Sequence, residues 1–311
     1  VTSYFIIFGG SDKTLFMKEF KLANNIIGWI VFLVALVTYT LTLESTTSFW
    51  DCGEFISGAY RLQVVHPPGA PMFLLLGRLA TMFAFDDPNW IAWSVNFLSG
   101  LTSAFSVLFL FWITTHFARK IVVGAGNVPT AMQTAVVIAT GAIAGLACTF
   151  TDTIWFSAVE GEVYAMSLFF MMLVFWTMLK WENCEDDHYR DRWLVLTFFL
   201  LGISSGVHLL SFLAIPPMAL IYYFKKYKNP KPLGILVSLF VGFVILGFFF
   251  KGIVSGLISI IASFELFAVN TLGLGVGVGF GIFVVLLFGL LAGGIYATKQ
   301  GPGAALKFIG L

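Results

Sequence analysis

The sequence predicts an all-α polytopic membrane protein: a transmembrane helix bundle of about eight crossings, with a surface helix in the first outer loop. Three observations predict it. Of 311 residues, 59% are hydrophobic and only 11% are charged, where a soluble domain is roughly a quarter charged. Apolar runs near the ~20 residues that a helix needs to cross ~30 Å of hydrocarbon recur along the whole chain. The basic residues collect at alternate ends of those runs, as the positive-inside rule requires.

Ile26–Leu43 is the first crossing. Residues 94–117 form the second, closed by Arg119-Lys120, residues 131–150 the third, and Val163–Lys180 the fourth. Trp193–Phe224 lies between Arg192 and Lys225-Lys226. It is long for one helix and short for two, so a tight hairpin with its apex near Gly206–His208 is expected. Leu233–Phe250 and Val276–Ala297 complete the set. Pro71–Phe85 carries Arg78 in its middle and would span only about 22 Å, so it is read as a helix lying along the membrane surface. This reading puts fourteen of the 17 basic residues on the cytoplasmic side and leaves Arg61, Arg78 and Lys251 outside.

One domain boundary is expected. Residues 1–16 look unlike the rest, and Met17 opens a plausible start, so 1–16 is read as a non-native or mis-called extension. Residues 17–311 form the transmembrane domain, read as truncated after "KFIGL". Cys52, Cys148 and Cys184 lie too far apart for a disulfide framework or a zinc site. "KWENCEDDHYRDRW" (180–193) reads as a solvated connector. "GLGVGVGFG" (273–281) lacks the strand, helix and lysine of a phosphate loop.

The outer loops are strongly acidic. "SFWDCGEF" (48–55) places Asp51 and Glu54 three apart, on one helical face, between Trp50 and Phe55 at headgroup level. Partial desolvation there raises a carboxylate toward a range useful for a general base. "RLQVVHPPGAP" (61–71) follows, and its prolines present His66 from a stiff turn back toward Asp51. "TDTIWFSAVEGEVYA" (151–165) sets Glu160, Glu162 and Tyr164 at the mouth of the fourth crossing. His208 stands at the hairpin apex, and "FELFAVN" (264–270) puts Glu265 on an outer loop. Arg61, Arg78 and Lys251, with His66 and His208 in support, are the cations available to a lipid-linked phosphate. Each of these residues also has a bland reading, as a loop acid, a snorkelling arginine or a capped histidine.

The order of first crossing, acidic pair, His-Pro-Pro turn, surface helix and second crossing resembles the GT-C superfamily of polytopic glycosyltransferases. More closely, "SFWDCGEFISGAYRLQVVHPPGAPMFLLLGRLATMFA" resembles the family described as domain of unknown function 2723. That family is grouped as glycosyltransferase family 117 and related to protein O-mannosyltransferases. "SAVEGEVYA", "GVHLLS" and "FELFAVN" fit the same pattern. The resemblance implies transfer of a sugar from a polyprenyl-phosphate donor to Ser or Thr of an exported protein, with Asp51 as the catalytic acid's counterpart and Glu54 as neighbour or alternate base. His66, Arg61, Arg78, Glu160, Glu162, Tyr164, His208 and Glu265 are expected to bind substrate. The expected partners are the donor, the acceptor protein and membrane lipid, without nucleic acid. The expected location is an inner or plasma membrane (or endoplasmic reticulum), with the active site on the extracytoplasmic face. No cofactor is expected: hard oxygen ligands would suit Mg²⁺ or Mn²⁺, but spacing does not support a metal site. Two rival readings are a lipid-substrate transporter, which needs a polar path through the crossings, and a non-catalytic assembly subunit.

Overall fold

The computed structural model describes residues 10–85, 87–124 and 126–300, with side chains from residue 16 onward except 187 and 188. Most of the described residues are helical, and no strand occurs among them. Of the segment expected to be an extension, residues 1–9 lie outside the described residues; residues 10–16 belong to the first helix, α1 (Gly10–Leu41). The reading of a truncated end at "KFIGL" also falls outside the described residues. Two compact units divide at Gly242 and Phe243, and each is described by itself.

In the first unit, α2 (Cys52–Arg61) and α3 (Pro71–Thr81) follow α1. Then come α4 (Pro88–Val122), α5 (Ala131–Thr149), α6 (Asp152–Val159), α7 (Val163–Asn183), α8 (Asp187–Ser204) and α9 (Ile215–Lys226). Local chemistry sets the starts. Asp87 accepts from the Asn89 N–H at 2.9 Å, with Pro88 at the first helical position of α4. Thr130 and Gln133 close a reciprocal capping box on α5. Pro71 opens α3.

Four helices, α1, α4, α5 and α7, are long and apolar enough to cross a membrane. The α4 helix is the most buried of them and packs against the other three. Its inward face is rich in small residues, including Ser99, Gly100, Ser103 and Ser106, which let the neighbouring helices come close where apolar burial gives no driving force. The α3 helix has 11 residues, about 16 Å of length, and is too short to cross. Its Phe73 and Leu74 pack inward with Phe55 of α2 and Val95 of α4.

The 193–224 stretch breaks between Ser204 and His208, where the hairpin apex is expected. His208 then meets Tyr164 at the start of α7, with ring centroids 5.3 Å apart. At the far end of α9, Lys225 donates to the carbonyls of Trp181 and Glu182 at the end of α7. So α8 runs back along α7 and α9 returns. Neither arm is among the helices long and apolar enough to be an independent span.

Contacts between helix ends sort the loops into two layers. At one end the Glu44 N–H donates to Val159, Tyr39 OH to Thr149, and the Met72 N–H to Gly206. This end carries the acids of 44–54 and 152–162. At the other, Arg119 lies over Phe20, and Lys120 and His116 meet Glu182.

The second unit holds the end of α10 (Pro232–Phe248), a π-helical stretch (Phe249–Ser255), α11 (Gly256–Leu266), a second π stretch (Phe267–Thr271) and α12 (Val278–Lys299). Here the expectation of an outer loop at 264–270 is corrected. Helix continues from Pro232 to Thr271 over 40 residues, about 60 Å. The physical reason is that 253–268 is filled with Ile, Leu, Ala, Ser and Phe and contains no proline, so the chain does not leave helix until the glycines after Leu272. Large apolar side chains such as Phe240, Val285 and Phe288 are exposed on these last helices, as a lipid-facing surface requires.

Candidate functional site

The acidic end of the first unit builds two adjoining clusters. Asp51 is the N-cap of α2, and Glu54 lies in its first turn. The loop after α2 leaves through Leu62, which takes a left-handed φ of 51° and turns the chain back toward the helix start. That return brings His66 onto Glu54. The His66 backbone N–H donates to Glu54 Oε1 at 2.7 Å, and its Nδ1 lies 2.8 Å from Glu54 Oε2. A carboxylate only accepts, so Nδ1 carries the proton. Nε2 is left facing Asp51 Oδ2 at 3.9 Å. The bonds from His66 hold the Glu54 carboxyl below its ordinary range, and the Glu54 carboxylate in turn holds the His66 imidazolium above its own.

Trp50 is exposed, as a headgroup anchor would be, but Phe55 is a core residue. This corrects the expectation that Phe55 brackets the pair at headgroup level. Its ring stands edge-on to Phe73 at 5.5 Å and to His66 at 5.6 Å. Helical periodicity decides this: Phe55 is turned about 100° from Glu54 around α2, onto the side that packs against Phe73 of α3.

The second cluster comes from the turn between α6 and α7. Glu160 is buried and accepts from the thiol of Cys52 at 3.4 Å. Burial, then Glu160, push the Cys52 thiol up to about 12, so it stays protonated at neutral pH. Glu162 is pushed up to about 7, first by burial and then by the charges of Glu160 and Asp51, with His66 working in the other direction. Gly161 lies between the two glutamates because nothing larger fits. A Cβ there would stand 2.8 Å from Asn96 Oδ1 and 3.0 Å from Ile56. Asn96, fully buried on α4, donates to the carbonyls of Glu44 and Thr46 at 2.8 Å each. It ties the loop that leads to Asp51 onto the bundle.

A cavity of about 920 Å³ opens beside this cluster. Glu160, Glu162, Tyr164 and Asp152 line its polar part, and Trp155 and Leu168 are among its apolar walls. Glu162 therefore belongs to both the acidic cluster and the cavity. His208 stacks edge-on against Tyr164, and its Nδ1 accepts from the Leu210 N–H at 3.1 Å, capping the turn that follows.

Six expected site residues thus gather at this end: Asp51, Glu54, His66, Glu160, Glu162 and Tyr164, with His208 against Tyr164. Arg61 and Arg78 do not join the acids. Both guanidinium groups lie over Tyr60, at 5.0 and 5.2 Å, and Arg78 donates to the Tyr60 carbonyl at 2.8 Å. They gather at the last turn of α2, about 15 Å along the helix from Asp51. Glu265 belongs to the second unit, where its carboxylate accepts from the N–H groups of Gly277 and Phe280 at the start of α12.

Sequence reasoning missed Cys52 and Asn96. Cys52 is next to Asp51 in the motif, but its role depends on Glu160, 108 residues away. Asn96 carried a signal that could have been read: an amide inside a span usually bonds another element. Two triads offer ligand atoms within 4.8 Å of one another: Asp51, Glu54 and His66, and Cys52, Glu160 and Glu162. The first, with oxygen and imidazole donors at the surface, has the chemistry of a hard divalent cation site. The second includes a protonated thiol and suits such an ion poorly.

Residues 51–231, more than half of the chain, match the N-terminal domain of the protein O-mannosyl-transferase TMEM260 family. The chain belongs to that family. Among curated proteins, it is 28% identical over 175 residues to the protein O-mannosyl-transferase TMEM260 of Mus musculus, covering 56% of this chain and 22% of the mouse protein. It is 25% identical over 152 residues to the protein O-mannosyl-transferase tmem260 of Dictyostelium discoideum, covering 47% of this chain and 16% of that protein. The matched stretches are thus a minor part of these relatives' length. No solved structure matches. The family match begins at Asp51 and takes in both acidic clusters, the cavity and the helical hairpin. The activity class that the family's name carries is a glycosyltransferase acting on proteins.

Proposed function

We propose that the protein is a GT-C-type glycosyltransferase, of the domain-of-unknown-function-2723 group, moving a sugar from a polyprenyl phosphate to Ser or Thr hydroxyls of exported proteins. The relatives' names make mannose the first sugar to test. The observation that carries this reading is the division of labour among three carboxylates. Glu54 is committed twice to His66. Glu160 is buried against Cys52. Asp51 is about half exposed and has only a 3.9 Å contact to His66, so it is free to meet an incoming hydroxyl.

In the proposed step, the Asp51 carboxylate takes the acceptor proton as the acceptor oxygen forms its bond to the anomeric carbon. The bond from that carbon to the phosphate oxygen breaks on the opposite face, and the electron pair leaves with the polyprenyl phosphate. Inversion at carbon follows. Glu162 borders the cavity and titrates near neutrality, so it senses or relays that proton. The cavity's apolar walls suit the first units of a lipid chain, and His208 with Tyr164 supplies polar groups beside it. Arg61 and Arg78, spent on Tyr60, contribute less to the phosphate than their charge alone suggests. The segregation of acids to one end and cations to the other supports placing this site on the extracytoplasmic face. Convergence of the acids on one hollow favours chemistry at the membrane surface over transport through it.

The test is reconstitution of the full-length protein in liposomes with radiolabelled polyprenyl-phosphate mannose and a Ser/Thr peptide. Labelled peptide from the native protein and its loss in Asp51→Asn support the reading. Full transfer by Asp51→Asn overturns it.

A further inference from the structure

A second cavity, of about 870 Å³, lies at the opposite ends of the same helices. It is formed by residues 20–29 of α1, the end of α4 and the end of α7. Along α7 that is about 30 Å from Glu162, so it is no part of the acidic site. Its wall carries four permanent cations, Lys21, Arg119, Lys120 and Lys180, against two carboxylates, Glu182 and Glu185. Glu182 is already satisfied by Lys120 and by His116 at 3.2 Å. Among the described residues, Lys21, Arg119 and Lys180 make no ion pair. Three cations thus share a hollow with one remaining acid.

The aromatic frame is equally specific. Trp112 and Trp176 stack with centroids 5.7 Å apart, Lys180 sits over Trp176 at 4.7 Å, and Trp29 is edge-on to Trp112 at 6.3 Å. Two donors lining this hollow, Arg119 Nε and Trp112 Nε1, are buried and have no hydrogen-bond partner. Buried donors without partners are costly. A cavity with surplus positive charge and unmet donors has the chemistry of an anion site, and guanidinium, ammonium and indole groups together fit a phosphate. Interface-seeking tryptophans around it set the anion at headgroup depth, with an apolar body extending into the bilayer.

We propose that this cavity binds the phosphate of an acidic membrane phospholipid, in the leaflet opposite the acidic site. The ligand makes its phosphate contacts with Arg119, Lys180 and Lys21, and its glycerol and acyl parts lie against the tryptophans. The site holds the ends of α1, α4 and α7 together, at the far end of the helices that carry the acidic clusters.

The experiment titrates the purified full-length protein in detergent with dihexanoyl phosphatidic acid, dihexanoyl phosphatidylcholine and inorganic phosphate, followed by microscale thermophoresis. The expected result is saturable binding of the phosphatidic acid, none of the phosphatidylcholine, and about tenfold or greater weakening in Lys21→Gln/Lys180→Gln. Both lysines are exposed, so this variant should fold. Arg119→Gln should weaken binding similarly, and the loop variant Lys228→Gln should leave it unchanged. Equal binding of the two lipids, or native-like binding by the double variant, overturns the proposal. Displacement of the lipid by inorganic phosphate at the same concentration assigns the site to free phosphate and overturns the lipid assignment.

Discussion

Glu54 grips His66 twice, through the backbone N–H at 2.7 Å and through Nδ1 at 2.8 Å. The two residues are twelve apart in sequence, and this one carboxylate closes the loop between them. It fixes the imidazole's tautomer and aims Nε2 at Asp51. Much of the site's chemistry follows from that grip.

The first prediction concerns the imidazole itself. His66 should titrate above its ordinary 6.5 in the native protein, and Glu54→Gln should bring it back toward that value. The sign for stability follows from linkage. The His66 contribution is complete below pH 6.5 and is lost as pH rises through its raised value. The Glu54 contribution is present above 4.5 and is lost as pH falls through its lowered value. Histidine NMR on selectively labelled protein checks the titration, and an unmoved His66 in Glu54→Gln refutes the coupling.

A second prediction separates the two carboxylates of the motif. Asp51→Asn should lower turnover about 10²–10⁴-fold, the usual worth of a general base, with little change in thermal stability. Glu54→Gln should act only through the position of His66 and cost about tenfold. Turnover in reconstituted membranes decides. A larger loss in Glu54→Gln than in Asp51→Asn would exchange their roles.

Glu162 should give the activity a pH limb near 7, because its carboxyl is pushed up to about that value from 4.5. Activity should rise with pH through this range and lose that limb in Glu162→Gln. Stability moves the other way: the contribution is complete below 4.5 and is lost as pH rises through about 7. Melting curves of native protein and Glu162→Gln should therefore coincide near pH 4.5, and the variant should melt higher at pH 8.

Gly161→Ala should destabilise the protein by about 1–3 kcal/mol, the usual cost of overpacking a filled site. The added carbon meets Asn96, Ile56 and Val95 at once. Because Glu160 and Glu162 flank it, activity should fall by more than the loss of folded protein explains. A melting temperature equal to that of the native protein would contradict this.

The long helices of the first unit were legible from residue order because each apolar run is long and several have their own boundary chemistry. Arg119-Lys120 ends α4 and the glycine-containing break near His208 divides α8 from α9, while α4 starts at Pro88, six residues before the expected 94. The second unit was harder to read. The stretch 264–270 carries Glu265 and Asn270, and polar residues there suggested a loop; the helix simply continues, with Glu265 spent on the start of α12. Local composition does not reveal that a carboxylate is answering a helix end a dozen residues away.

The sequence by itself determined the membrane class, most of the long apolar helices and the acidic motif around Asp51, because hydropathy and helix length act within one segment. Only the tertiary structure decided which acids work together. Glu160 reaches Cys52 and Glu162 is pushed toward neutrality because α7 starts beside α2, while Arg78 is drawn to Tyr60 instead. Electrostatic coupling depends on distance and burial in space, and the pairing of helix ends sets both.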